Sequence, residues 1–316
     1  MKLLITGGAG YIGSHVVRAA QASGHDCIVI DNLSTGLSDR VDCPLFNIEL
    51  ADNKASAALE KLMLEHRIEA VIHLAARKQV GQSVELPEQY YLDNIGGQAN
   101  LLIAMKAAGV RKLVFSSSAA TYGMPEVESL SEDYPGKPIN PYGQTKLIGE
   151  WMVKNAEVWG LRGVNLRYFN VAGAKYPELA DTAALNLIPI AIQAIRENRA
   201  PKVFGTDYPT SDGSCIRDYV HVGDLADAHV AAVDYLDQEN RPYDTFNVGT
   251  GQGASVIEVL QELKIASGID FDIELAERRA GDPPKLVANV DRIKEVLGFT
   301  AKNGLKEIVK SALMAS

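Results

Sequence analysis

Gly7-Gly8-Ala9-Gly10-Tyr11-Ile12-Gly13 follows a short apolar run, residues 2–6, and opens a stretch of helical periodicity over 11–23. A strand that enters a glycine turn and leaves as a helix is the first unit of a doubly wound α/β fold. The spacing satisfies Gly-x-Gly-x-x-Gly from Gly8, and the wider Gly-x-x-Gly-x-x-Gly from Gly7. Small residues let the backbone approach a pyrophosphate, and the helix N-terminus offers N–H donors and the positive end of its dipole. A glycine-rich turn alone has many other uses. Here it follows the first strand, and Asp31 ends the second apolar run at 27–31. A carboxylate at that point accepts from a ribose 2′-hydroxyl and repels a 2′-phosphate, which favours NAD over NADP.

Outward from the loop, apolar runs at 70–75 and 112–117 read as further buried strands, with helical patterns at 54–66 and 87–108 between them. Another strand is expected at 163–169, after a helix that carries Lys146. This alternation predicts a Rossmann-type doubly wound parallel sheet. After Phe169 the rhythm breaks, with Pro177, Pro189, Pro201 and Pro209 and a turn-rich run at 206–213. A helix at 223–236 and a strand at 245–248 return to the sheet; helical patterns at 258–266 and 304–312 and a strand near 271–275 follow. The expected division is a nucleotide-binding core, 1–172 plus 221–249, and an interleaved smaller C-terminal substrate-binding lobe, 173–220 plus 250–316.

With 47% hydrophobic residues in 316, a sizeable core is assured. A net charge of −9 argues against nucleic acid or an anionic membrane as a partner, though a few local arginines suffice for a small anion. Cys27, Cys43 and Cys215 are odd in number and lack metal-ligand spacing, so no metal is expected and a reducing cytoplasm is the plain reading. No apolar run has the length of a signal peptide or a membrane span.

Tyr142-Gly-Gln-Thr-Lys146 lies downstream of the strand ending in Ser116-Ser117-Ser118. Four residues apart, the phenol and the ammonium share a helix face. A tyrosine pKa of about 10 suits a base poorly at neutral pH, and lowering it by about three units takes roughly 4 kcal/mol. Lys146 and an oxidised nicotinamide are two cations able to supply that. Ser118 is placed to share the substrate proton and hold a developing oxyanion. Tyr-x-x-x-Lys alone is common on surface helices; the loop, Asp31 and the serine strand give it weight.

At these residues the chain resembles the extended short-chain dehydrogenase/reductase family and, within it, the UDP-glucose (UDP-galactose) 4-epimerases. The resemblance runs nearly full length. It rests on the loop from Thr6 to His15, Asp31-Asn-Leu-Ser34, Val80-Gly-Gln-Ser83, Phe115-Ser-Ser-Ser118, Asn140-Pro-Tyr-Gly143 and Leu166-Arg-Tyr-Phe-Asn170. The most specific piece is Phe204-Gly-Thr-Asp-Tyr-Pro-Thr210 with Asp212-Gly213 and Arg217-Asp-Tyr-Val-His221. The resemblance implies that Tyr11 and Ile12 line the pyrophosphate, that Lys78 and Asn94 contact NAD, and that Tyr142 and Lys146 reach the nicotinamide ribose. Gly7, Gly10, Gly13, Asp31, Asn32, Asn47, Ile48, Leu74, Ala75, Ala76, Ser118 and Phe169 complete the implied cofactor set. Asn170, Asn186, Arg217, Arg279 and Asp282 fall where such enzymes hold UDP, joined by Leu187, Val203, Phe204, Tyr219, Leu286, Ser118 and Tyr142 in the substrate set.

The implied reaction is oxidation at C4 of a UDP-hexose, with Tyr142 as base, followed by return of the hydride to the opposite face of the 4-keto sugar. A homodimer through the 87–108 helix and the Lys146 helix is also implied. Asn47 replaces an aspartate that many relatives aim at the adenine, and Leu286 replaces a tyrosine that in some crowds the sugar C2 substituent. UDP-N-acetylglucosamine is therefore an expected further substrate. A 4,6-dehydratase needs an Asp-Glu pair where this chain has Ala119-Ala120. UDP-uronate or UDP-pentose 4-epimerisation stays open, as does a non-catalytic NAD-binding regulatory protein.

Overall fold

The computed structural model describes residues 1–183, 185–238, 243–279 and 281–316. Its strands, in chain order, are β1 (Lys2–Thr6), β2 (Asp26–Asp31), β3 (Leu45–Asn47), β4 (Ala70–His73), β5 (Lys112–Ser118), β6 (Arg162–Tyr168) and β7 (Asn170–Ala172). They continue as β8 (Lys202–Phe204), β9 (Ile216–His221), β10 (Asp244–Val248), β11 (Gly253–Ser255), β12 (Glu274–Ala276) and β13 (Lys285–Leu286). The helices are α1 (Tyr11–Ala22), α2 (Ala55–His66), α3 (Val80–Glu85), α4 (Pro87–Tyr90), α5 (Gly97–Ala108) and α6 (Pro141–Asn155). Then come α7 (Leu187–Arg196), α8 (Val222–Asp237), α9 (Val256–Ser267), α10 (Asp291–Leu297) and α11 (Leu305–Ala315). Two compact units result: 1–123 with 136–167 and 226–246, and 124–135 with 168–225 and 247–316.

The first unit is built on a seven-stranded sheet in the order β10-β6-β5-β4-β1-β2-β3. β1 pairs in parallel with β2 on one side and β4 on the other, so the order reverses there and opens a crevice at the carboxyl ends of β1 and β4. The strands are Val/Ile/Leu-rich because helices cover them. Leu4, Ile28, Ile30, Val71, Leu113 and Phe115 pack with Leu59, Leu62 and Met63 of α2 and Leu101 and Met105 of α5. Periodicity predicts one helix over 87–108; the chain instead forms α4, a π-helical turn at Tyr91–Gly96, and α5. The wider turn is where Asn94 becomes buried, a common place for a π-bulge.

The second unit pairs β9 with β11 antiparallel and with β7 and β13 in parallel, and pairs β8 with β12 separately. Its core is the apolar stripe of α7 (Ile188, Ile192, Ile195) packed with Val259, Leu260 and Leu263 of α9, Ile308 and Val309 of α11, and Val203 and Phe271. Fully buried Asp218 on β9 accepts hydrogen bonds from the Thr250 N–H and hydroxyl (both 2.8 Å), the Gly251 N–H (2.9 Å) and the Ala288 N–H (3.2 Å). One carboxylate thus ties β9 to the two segments flanking it. Residues 124–135, which the strand–helix rhythm leaves with the nucleotide core, cluster here. The Leu130 N–H donates to the Val287 carbonyl (2.9 Å), and the Leu130 carbonyl accepts from the Asn289 N–H (2.8 Å). Among the described residues no helix is long and apolar enough to cross a membrane, and no cluster of His, Cys, Asp and Glu has metal-site geometry.

Candidate active site

In the first unit, β1 runs into the glycine turn and α1 begins at Gly10, whose extended backbone caps the helix with no side-chain bond. The first-turn N–H groups therefore have no side-chain cap. Only glycine fits this turn. Gly7 has a φ of +71°, and a Cβ on Gly13 would lie 2.1 Å from the Gly7 carbonyl oxygen. A Cβ on Gly7 would come within 2.8 Å of the Ala75 nitrogen, so the loop after β4 lies against the glycine turn. The Leu74 and Ala75 N–H groups both donate to the Thr6 carbonyl at 3.1 Å. Ala76 and Lys78, further along that loop, are exposed.

Asp31 ends β2 and is buried. Its Oδ2 accepts from the Ala9 N–H (3.1 Å) and its Oδ1 from the Leu33 N–H (2.9 Å), which leaves lone pairs for a ribose hydroxyl. Burial pushes its pKa up, and the two N–H bonds oppose that. The Leu33 bond holds a leucine at φ +57°, a left-handed conformation that a leucine rarely adopts. Asn32 spends its amide on Glu49 (2.7 Å) and the Ser34 N–H (3.0 Å). Asn47, exposed, sits opposite Asp31 in the β2–β3 register, and the Ile48 N–H donates to the Asp31 carbonyl (3.2 Å). A glycine cradle, an open helix start and a buried carboxylate at the end of β2 fit a dinucleotide with unphosphorylated ribose.

Tyr142 and Lys146 lie on α6, which starts at Asn140. The Asn140 side chain accepts from the Gly143 N–H at 2.8 Å, and Pro141 occupies the first turn. Gly143 lets that turn press against the chain after β5, since a Cβ there would be 2.5 Å from the Ala120 carbonyl oxygen. Ser118, half-buried at the end of β5, lies beside the Tyr142 phenol and lowers its pKa somewhat. Lys146, 3% exposed, donates to the Ser116 carbonyl at 2.8 Å, its Nζ 5.9 Å from the Tyr142 ring centre. The sequence spacing thus brings the three groups together.

Burial pushes the Tyr142 phenol up to about 12; Ser118 opposes this, and Tyr90 adds to the rise. Burial also pulls Lys146 down to about 8. His73, beneath them on β4, falls to about 3 through burial and then the Lys146 charge, so it is neutral and bonds Thr6 (2.7 Å). Lys146 alone does not offset the desolvation of the phenolate.

Asn94 is buried and ties two segments together. Its Oδ1 accepts from the Arg77 N–H (2.8 Å), and its Nδ2 donates to the Arg77 carbonyl and the Thr145 hydroxyl (both 3.0 Å). Both amide hydrogens are spent on protein, and one carbonyl lone pair is left for a ligand. Thr145 in turn donates to the Tyr142 carbonyl (2.8 Å). Asn94 thereby connects the Lys78 loop to the helix of the catalytic candidates.

In the second unit, Arg217 on β9 donates to the Asp282 carboxylate (3.2 Å) and to the Ile216 carbonyl (2.8 Å). Leu286, half-buried on β13, is the register partner of Arg217. Asn170 on β7 pairs with buried Tyr219. The Arg279 guanidinium lies 3.8 Å from the centre of the Phe204 ring, a cation–π contact. Asn186 is not inside a helix: it is the exposed N-terminal cap position of α7, bonded to Asp181 (3.2 Å), and Leu187 is the first helical residue. Val203 faces the apolar core, and Phe169 is buried with its N–H donating to the Val248 carbonyl (3.2 Å).

Glu150 and Arg167 escaped the motif reading. They form a buried ion pair beside the serine strand, and the one available cue was spacing, since Glu150 lies four residues beyond Lys146.

Residues 3–249 match the NAD dependent epimerase/dehydratase family. Over 99% of its length the chain is 46% identical to a UDP-glucose 4-epimerase of Azospirillum brasilense, covering 91% of that protein. A UDP-glucose 4-epimerase structure from Stenotrophomonas maltophila, with bound NAD and formylated UDP-arabinopyranose, superposes with a TM-score of 0.95 at 36% identity. That match covers all of this chain and 97% of the other. The UDP-Glc/GlcNAc 4-epimerase of Campylobacter jejuni matches with a TM-score of 0.87 at 39% identity, over 99% and 98% of the two chains.

The depressed pKa of Lys146 has a consequence for stability. Below about pH 8 the lysine is charged both folded and unfolded, and its desolvation cost is fully present. As pH rises from about 8 toward the ordinary value of about 10.4, the folded protein holds it neutral and the cost disappears. Lys146→Met is expected to be more stable than the parent at pH 7, by up to about 3 kcal/mol, and to lose that advantage by pH ~10.4. Urea unfolding of both proteins at the two pH values checks it; an advantage that grows with pH contradicts it.

Proposed function

Because the chain belongs to the NAD dependent epimerase/dehydratase family, we propose that it interconverts UDP-glucose and UDP-galactose by reversible oxidation at C4. The observation that carries this reading is the buried Tyr142 phenol beside Ser118, with buried Lys146 one helical turn away and bonded to the Ser116 carbonyl, in a unit that holds a dinucleotide cradle. NAD, when bound, supplies a hydride acceptor and a second positive charge beside the phenol. Tyr142 takes the 4-OH proton, Ser118 passes it and holds the oxyanion, and Lys146 makes the phenolate accessible. In the second unit, Arg217 and Arg279 are the guanidinium forks for the diphosphate. Phe204, Asn170, Asn186, Leu187, Val203, Tyr219 and Asp282 shape the place of the nucleotide. Tyr142→Phe is expected to lose ~10²–10⁴-fold in kcat while retaining NAD. Near-parental turnover by that variant would falsify the assignment of the base.

Leu286 decides the breadth of sugars. It stands on the strand beside Arg217, and a leucine leaves more room than a tyrosine for a C2 substituent. UDP-N-acetylglucosamine is expected to be epimerised as well as UDP-glucose, and the likeness to the Campylobacter jejuni enzyme, named for both sugars, supports this. Product analysis with UDP-glucose, UDP-N-acetylglucosamine, UDP-glucuronate and UDP-xylose separates these outcomes. Turnover of UDP-glucose alone removes the broader reading.

The working form is a homodimer. Leu92 in the π turn, Ile103 of α5 and Trp151 of α6 are each more than half exposed, and Val158 just beyond α6 is 89% exposed. Large apolar groups on these neighbouring helices are what a helical interface would cover. Light scattering at micromolar concentration is expected to give twice the 34.1 kDa chain mass; a monomer contradicts the dimer.

A further inference from the structure

Tyr142, Lys146 and Glu150 recur every four residues on α6, and all three are buried. The face that carries the catalytic candidates therefore also carries a carboxylate. Arg167 of β6 grips it as a fork, Nε to Oε1 at 2.8 Å and Nη2 to Oε2 at 2.6 Å. Ser117 of β5 donates to the same Oε1, and the Arg167 Nη1 donates to the Tyr122 hydroxyl at 3.1 Å. Ser117 lies between Ser116, whose carbonyl takes the Lys146 ammonium, and Ser118, which stands beside the Tyr142 phenol. Helix and strand are thus registered by three consecutive serines.

We propose that Arg167 is a positioning residue for catalysis: by neutralising Glu150 it leaves the Lys146 charge to act on Tyr142. This rests on the reading of Tyr142 as the base. The other titratable groups facing the cluster do not take over that role. His73 from β4 is neutral. His229 from α8 hydrogen-bonds the Ser116 hydroxyl at 2.8 Å. Tyr90 from α4 and Tyr243 ahead of β10 are phenols whose pKa burial raises, and Tyr122 is bonded to Arg167 itself. Without Arg167, Glu150 is an unpaired carboxylate one turn from Lys146 and two turns, about 12 Å, from Tyr142. A unit charge at that range, at an effective dielectric of about 20, moves a pKa by about one unit.

The test uses the NAD-loaded enzyme, with the acid limb of the kcat/KM–pH profile and the phenolate absorbance that Tyr142→Phe removes. Arg167→Met is expected to move both to higher pH by about one unit, because the exposed negative charge opposes the phenolate. Glu150→Gln, which leaves a buried cation, is expected to move them about as far to lower pH. Glu150→Gln with Arg167→Met should return them to the parental position. Loss of packing lowers the melting temperature in all three variants but gives no shifts of opposite sign that cancel. Limbs that coincide with the parent, shifts of the same sign, or a double variant that fails to restore the profile overturn the proposal. If Arg167→Met does not fold, the double variant must still titrate about one unit above Glu150→Gln, and coincidence of those two overturns it. Full activity in Tyr142→Phe marks failure of the base assignment instead.

Discussion

A lysine ammonium buried to 3% exposure is the constraint around which the first unit is organised. Removing such a charge from water is costly unless it is hydrogen-bonded and its surroundings are polarised toward it. The Ser116 carbonyl accepts from it at 2.8 Å, and the Phe115 ring centre lies 5.2 Å from Nζ. Both residues belong to β5, so the strand must stay in register with α6. Two glycines make that possible. A Cβ at Gly143 would collide with the Ala120 carbonyl, and one at Gly149 would lie 2.5 Å from the Phe115 ring. Helix and strand approach as closely as backbones allow, and the phenol, ammonium and hydroxyl converge as a result.

The cost of that burial sets the chemistry. Burial raises the phenol to about 12 and lowers the ammonium to about 8, so near pH 7 a neutral phenol stands beside a charged lysine. A further positive charge beside the phenol favours the phenolate. Such a charge acts strongly because little water screens it. In the proposed reaction this couples Tyr142, as base, to the oxidised cofactor, whose charge favours the phenolate.

Much of the first unit was legible because its signals are local. The glycine spacing, the acid at the end of β2 and the Asn140-Pro141 helix start each act through adjacent backbone. The π turn was not legible, because the apolar pattern of 87–108 carries no mark of the wider backbone turn at Tyr91–Gly96. The second unit was harder, since β7, β8, β11, β12 and β13 have three residues or fewer and carry no periodicity. Asn186 did offer a cue. An asparagine immediately before an apolar periodic run is a helix-start signal. The pKa directions were beyond sequence because desolvation depends on how completely neighbours close over a group.

The second unit shows how an acidic chain can receive a diphosphate. Its candidate arginines do not stand in open solution: Arg217 is paired with Asp282, and Arg279 rests on the Phe204 ring. These partners hold the guanidinium groups in place at modest cost, because a half-exposed ion pair and a cation–π contact are each weak. A diphosphate, with more charge and two acceptor oxygens per fork, outcompetes either. The Leu286–Arg217 register extends the proposed reading to the sugar, since it ties the residue proposed to limit sugar size to the strand that carries a proposed diphosphate arginine. Substitutions that widen the sugar pocket by moving β13 would therefore disturb diphosphate binding, whereas side-chain changes at Leu286 itself would leave it intact.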